Sequence, residues 1–206
     1  LPAGVASFFM FASQTITTVF VGQRLGSDKL EALATAITTF NVCGISIGIG
    51  LVMALDTLAS QAVGRNPRSK ELGELLQRTL LVVCMFAVPC FIFFYFCEPL
   101  LHLVFSAKLA AGATEFLHNA YLYLVIVLVN SALFSTINAT GQTQLPLYCN
   151  IVTTVLSVIL NFFFLQNSLA SACWILTATW LVNDLLLAGI CLKHPKLVGV
   201  PSAARP

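Results

Sequence analysis

The sequence predicts an all-α fold, a polytopic bundle of about six transmembrane helices, and three observations predict it. Of the 206 residues, 58% are hydrophobic and only 9% are charged, whereas a soluble domain carries about 25% charged residues. The charges are also gathered into a few places. Residues 1–23, 32–55 and 79–97 contain no Asp, Glu, Lys or Arg, and after Glu115 the next such residue is Asp184. A helix needs about 20 mainly apolar residues to cross a bilayer core, and these tracts supply them. Finally, no segment shows the apolar–polar alternation of a strand.

The first span is expected over residues 2–21 and the second over 33–55. The third covers 76–97, with Pro89 inside it as a kink. The fourth covers 115–137. The fifth covers 146–165, with Pro146 suited to a first helical turn, where its missing N–H has no bond to lose. The sixth covers 169–192 and is long enough to tilt. The uncharged tract after Glu115 needs internal breaks. "NATGQTQLP" at 138–146 supplies one and "QNS" at 166–168 the other. Residues 1–192 then form one transmembrane lobe, and 193–206 a tail or linker. The apolar start has no charged region ahead of it and no cleavage signal, so it reads as a span whose beginning is missing; the chain is expected to be a piece of a longer one.

The net charge of +2 says little about partners, and no basic face for nucleic acid is read in the sequence, so no nucleic-acid partner is expected. Its distribution between loops sets orientation. Arg24, Lys29 and Lys108 fall in odd loops; Arg65, Arg68, Lys70, Arg78, Lys193, Lys196 and Arg205 fall in the second loop, its flank and the tail. That places the second loop and the C-terminal end in the cytoplasm. Seven cysteines lie mostly inside apolar runs, with no CxxC and no Cys/His cluster at metal spacing. They are expected to be reduced core residues, with no metal and no cofactor. No HExxH and no phosphate loop is present, so no catalytic residue is assigned and an enzyme is not expected.

Polar residues inside spans are costly in lipid unless they face a partner or a wet cavity. Asp184, about two-thirds along the sixth span, is the most unusual of them. An ionised carboxylate there costs about 2.5–3.5 kcal/mol on insertion scales. It must be protonated, paired or facing water, or else the span sits shallower and brings it to the interface. Gln14, Asn41, Asn130, Asn161 and Asn183 recur through the other spans. They read either as a shared polar cavity or as ordinary interhelical bonds, each worth about 0.6 kcal/mol. Gly44, Gly48 and Gly50 are expected on one face, a seam for close helix approach. Asp56 ends the second span and Arg78 opens the third across a loop. The expected role is a clamp between them that fixes this turn.

At these residues a family resemblance becomes specific. "FVGQRLG" (with Gly22, Gly26 and an extra Arg24), Asn41 and Gly44, and the run Gly50, Leu51, Asp56, Thr57, Gln61, Ala62, Gly64 come in succession. Leu72, Gly73, Leu76, Gln77, Arg78 and Pro89 follow, then Gln144, Pro146 and Asn161. This pattern resembles the multidrug and toxic compound extrusion (MATE) family in its eukaryotic style. The resemblance implies twelve helices in two six-helix halves, an inverted V, of which this chain is the N-terminal half and lacks the C-terminal lobe. It implies export of cationic or amphipathic solutes by antiport of H+ or Na+ with alternating access, in a plasma or organelle membrane. The acidic residue in the first helix of bacterial members corresponds to Thr17, and a glycine-rich turn before the sixth helix is replaced by "LQNSLASACW". Asp184, Asn161, Asn41, Asn130 and Gln14 are the candidate pathway residues, with Asp184 standing in for the missing acid. Two other readings are a lipid flippase of the same superfold, which the absence of Lys or Arg inside the spans disfavours, and a truncated membrane protein that does not transport.

Overall fold

The computed structural model describes residues 2–65, 71–166 and 168–193, and no strand occurs among them. The helices are α1 (Pro2–Leu25), α2 (Ser27–Phe40), α3 (Ser46–Arg65), α4 (Glu71–Phe96), α5 (Glu98–Val104), α6 (Ala107–Leu117), α7 (Ala120–Ala139), α8 (Gln144–Phe164) and α9 (Leu169–Lys193). Loop residues 66–70 and the tail from 194, with the basic residues they carry, lie outside the described residues.

Among the described residues five segments are long and apolar enough to cross a membrane: Ser27–Arg65, Glu71–Phe96, Ala120–Ala139, Gln144–Phe164 and Leu169–Cys191. The first expected span is the 24-residue α1, packed along α8. The bundle is therefore close to the six spans expected, with two boundary corrections. The first loop is not a loop. Lys29 and Glu31 are already helical, because Ser27–Arg65 runs as one 39-residue segment. Gly26 alone separates α1 from α2, at φ +84°, a left-handed conformation that glycine adopts without strain. The fourth span begins at Ala120, and Glu115 belongs to the short α6 before it.

The long second segment changes pitch at Asn41–Ile45, which forms a single π-helical turn joining α2 to α3. Such turns are rare and local. Gly44 sits inside it, and a Cβ there would lie 3.1 Å from both Phe94 and Leu124. Phe94 stacks on Phe40 at 5.6 Å and Phe40 on Tyr123 at 5.0 Å, so aromatic rings fill the space around the turn. Pro89 lies inside α4 as expected.

Polarity is arranged inside out. The buried face of α8 is Cys149, Asn150, Thr153, Ser157 and Asn161, while Val152, Val155, Ile159 and Phe162 to Phe164 are exposed. On α1 the buried residues include Ser13 and Thr17, and Phe8, Phe11 and Val19 are exposed. A soluble helix turns its apolar stripe to the core; these turn it outward, as a helix in lipid must. α7 is buried on most sides, between α3, α4 and α9, which explains why its sequence is apolar nearly all round.

One end of the bundle is tied by charge. Glu115 of α6 accepts from Lys29 Nζ (α2) at 3.3 Å and from the Ala170 amide at the start of α9 at 3.4 Å. Lys108 pairs with Asp28 alongside. Burial pushes the Glu115 carboxyl up, but bonds from Ser168, Ala170 and Lys29 outweigh it and hold the group below its ordinary value. A lowered folded-state value stabilises above the unfolded value, about pH 4.3 for Glu, and that stability is lost as pH falls through the folded value. Glu115→Gln is expected to lower the melting temperature of the complete protein at neutral pH and to converge with wild type in acid. Parallel pH profiles would contradict this.

Candidate functional site

Among the described residues, helical spacing sorts the buried polar side chains of the bundle into seams. Along α8, residues 150, 153, 157 and 161 recur every three or four positions and so share a face. Ser13 and Thr17 on α1 do the same. Asn161 Nδ2 donates to Thr17 Oγ1 at 2.9 Å and to the Ser157 carbonyl at 2.8 Å. Ser157 Oγ donates to the Ser13 carbonyl at 3.4 Å. Asn161 Oδ1 is buried and has no protein partner among the described residues. Between α8 and α9, Asn183 Nδ2 donates to Asn150 Oδ1 at 2.7 Å.

Asp184 lies in a different seam, between α7 and α9. Asn130 Nδ2 donates to its Oδ1 at 2.7 Å, and the two residues are 1% and 8% exposed. The Asp184 side chain is turned inside the bundle. Its partner is a neutral amide, and the five salt bridges of the described residues all lie elsewhere.

Gln14 is half-buried on α1, where its carbonyl accepts from Thr18 Oγ1 at 2.9 Å, and Asn41 is half-buried at the start of the π turn. Neither joins the Asn130–Asp184 pair or the Asn161 seam. Asn130, Asn161 and Asn183 each bond across a helix interface. Thr17, Ser135, Asn150 and Ser157 were not singled out from the sequence as partners. The spacing of four between Ser13 and Thr17, and between Thr153, Ser157 and Asn161, was the available signal.

The Asp56–Arg78 clamp is not formed. Asp56 Oδ1 accepts from Ser135 Oγ of α7 at 2.8 Å, and Arg78 lies 3.8 Å from Glu74 on its own helix. Across the turn, Arg65 meets Glu71 at 3.4 Å. Asp56 leans towards α7 because Leu55 and Ala59 beside it pack into the core and carry that side of α3 with them. A double-mutant cycle checks the assignment. Asp56 and Ser135 are expected to couple by about 0.5–1.5 kcal/mol, and Asp56 and Arg78 to be additive; the reverse would restore the clamp.

Of the other motif residues, Thr57, Gln61, Gly64 and Gln77 are exposed on α3 and α4. Gly44 and Gly48 do face α7, and a Cβ at Gly48 would lie 2.6 Å from Leu128. Gly50 is corrected: it points into open space, because two residues on from Gly48 is half a turn away. Gly22 lets Leu30 of α2 fold back to 3.2 Å from where its Cβ would stand. The extra Arg24 has a place as well. Its Nη1 donates to the Phe162 carbonyl at 2.8 Å and its guanidinium lies over the Phe162 ring at 5.1 Å, closing the end of α8. Among the described residues no group of three or more His, Cys, Asp or Glu is placed to hold a metal.

Against known proteins, the MatE family model matches residues 2–163. The chain is 37% identical over 114 residues to multidrug and toxin extrusion protein 1 of Danio rerio, covering 55% of this chain and 19% of that protein. It is 42% identical over 84 residues to multidrug and toxin extrusion protein 2 of Homo sapiens, covering 41% and 14%. The crystal structure of the eukaryotic MATE transporter AtDTX14 superposes with a TM-score of 0.89 at 20% identity, over 98% of this chain and 46% of that one. The chain thus spans less than half the length of the relatives it matches, and the fold is the one they share.

Proposed function

The chain belongs to the MatE family of integral membrane proteins, and from that premise we propose that it forms one lobe of a secondary active exporter. The cargo is a small cationic or amphipathic solute, moved outward against an inward flow of H+ or Na+ by alternating access. A second lobe, from the rest of a longer protein, completes the path. One observation carries this reading: among the described residues Asp184 is the sole acidic side chain buried in the bundle, and a neutral amide is its hydrogen-bond partner. Such a carboxylate can exchange a proton or cation without breaking an ion pair. Asn130 holds it in place. Asn161, with an acceptor oxygen to spare, and Gln14 and Asn41 supply polar wall along the path as the helices part. Phe and Tyr side chains offer aromatic faces for cationic solutes. The second loop and the C-terminal end face the cytoplasm, where the basic residues gather.

The test is transport by the complete protein in proteoliposomes. A fluorescent organic cation should accumulate when a pH or Na+ gradient is imposed, and collapsing that gradient should abolish the accumulation. Accumulation indifferent to both gradients would refute antiport, and no transport at all would favour the truncated, non-transporting reading.

A further inference from the structure

Where α1, α8 and α9 meet there is a small cavity of about 10 Å³ lined by Phe9, Ser13, Asn150, Thr153, Thr179, Trp180 and Asn183. Two polar atoms of this lining are buried and have no protein partner among the described residues: the Trp180 Nε1–H donor and the Asn183 Oδ1 acceptor. Both residues are more than nine-tenths buried, at 6% and 4% exposure. Asn183 is not free to turn over, because its Nδ2 is already committed to Asn150 Oδ1 at 2.7 Å. A buried donor and a buried acceptor left unpaired forfeit their hydration without compensation. They stand one helical turn apart on α9, at positions 180 and 183.

We infer that this cavity is a binding site for one water molecule, which accepts from Trp180 Nε1–H and donates to Asn183 Oδ1. The volume is that of about one water-sized sphere, and polar sites of this size with two to four partners hold ordered water. The second water proton has acceptors at hand. Thr153 and Thr179 spend their hydroxyl protons on the Cys149 and Ile175 carbonyls, at 3.0 and 2.8 Å, so their oxygen lone pairs remain available. The donor set decides against a bare cation: an indole N–H presents positive charge and cannot ligate one. The space decides against a hydrated ion or an organic solute. The water joins α9 to α1 and α8 at a level where direct side-chain bonds leave two atoms unmatched. This inference does not depend on the transport reading.

The test uses the complete protein in lipid nanodiscs. Ultraviolet resonance Raman spectra of wild type minus Trp180→Phe isolate the Trp180 indole band. It is expected at the position of a hydrogen-bonded N–H, and a band at the free N–H position would overturn the proposal. A high-resolution map of the same protein should show one peak within hydrogen-bond reach of both Trp180 Nε1 and Asn183 Oδ1. Absence of that peak, or an anomalous signal there after soaking in Rb+ or Tl+, would also overturn it.

Discussion

Asp184→Asn in the complete protein is expected to keep the fold and to remove the pH dependence of efflux. The substitution preserves size, and the remaining side-chain oxygen still accepts from Asn130 Nδ2, now at 2.7 Å. What disappears is the ability to change charge. If the proton that drives export binds at Asp184, a neutral side chain fixes the lobe in one protonation state, and transport driven by a pH gradient should fall at least about tenfold, equivalent to about 1.4 kcal/mol. Asp184→Leu behaves differently. It strands the buried Asn130 amide, a penalty of about 1–3 kcal/mol, so protein yield and melting temperature fall along with transport. Comparing the two separates the chemical role from the packing role. Asn130→Leu adds a third arm, since it leaves a buried carboxylate without its donor and should shift the pH profile instead of flattening it. If Asp184→Asn retains the wild-type pH profile, Asp184 has no part in coupling. If it flattens the pH profile while a Na+ gradient still drives transport, the proton acts at Asp184 and Na+ acts elsewhere.

Much of the fold was legible because bilayer thickness turns composition into architecture. Charge-free tracts of about 20 residues can only be spans, and the breaks at 138–146 and 166–168 fall between α7 and α8 and between α8 and α9. The features that were misread share one physical cause. A sequence gives the distance between residues along a helix but not the rotation of that helix against its neighbours. Asp56 and Arg78 flank the same loop, so they appeared to be partners, yet α3 is rotated to send Asp56 to Ser135, 79 positions away. Asn130 and Asp184 are 54 positions apart and meet at 2.7 Å. Both residues were recognised as anomalies in an apolar setting; that each answers the other required the packing of α7 against α9. Gly26 was read correctly as part of a turn, but the brevity of that turn was not. Lys29 and Glu31 looked like loop charges, and they are carried by the first turns of a helix that protrudes beyond its apolar stretch.

Glycine shows the same limit, and here it yields a measurable contrast. Gly50 belongs to the family pattern and Gly112, in "AAGA", to no pattern at all. In the structure nothing lies within 4 Å of a Cβ added at Gly50, whereas one added at Gly112 would fall 2.7 Å from the Cβ of Ala32. Ala32 is 2% exposed and has no rotamer through which to yield, so α2 and α6 would have to move apart. Both glycines are interior to helices, so alanine brings each the same backbone benefit, about 0.5–1 kcal/mol. Gly112→Ala must also bear an overpacking cost of about 1–3 kcal/mol, and Gly112→Val more. Gly50→Ala is thus expected to raise the melting temperature of the complete protein and Gly112→Ala to lower it. Because propensity cancels in the comparison, the gap between the two variants reads the steric term alone. Equal shifts would mean that α2 and α6 do not approach as closely as Gly112 permits, and the ionic ties of Lys29 to Glu115 and Lys108 to Asp28 across the same interface would then lose their geometric basis as well.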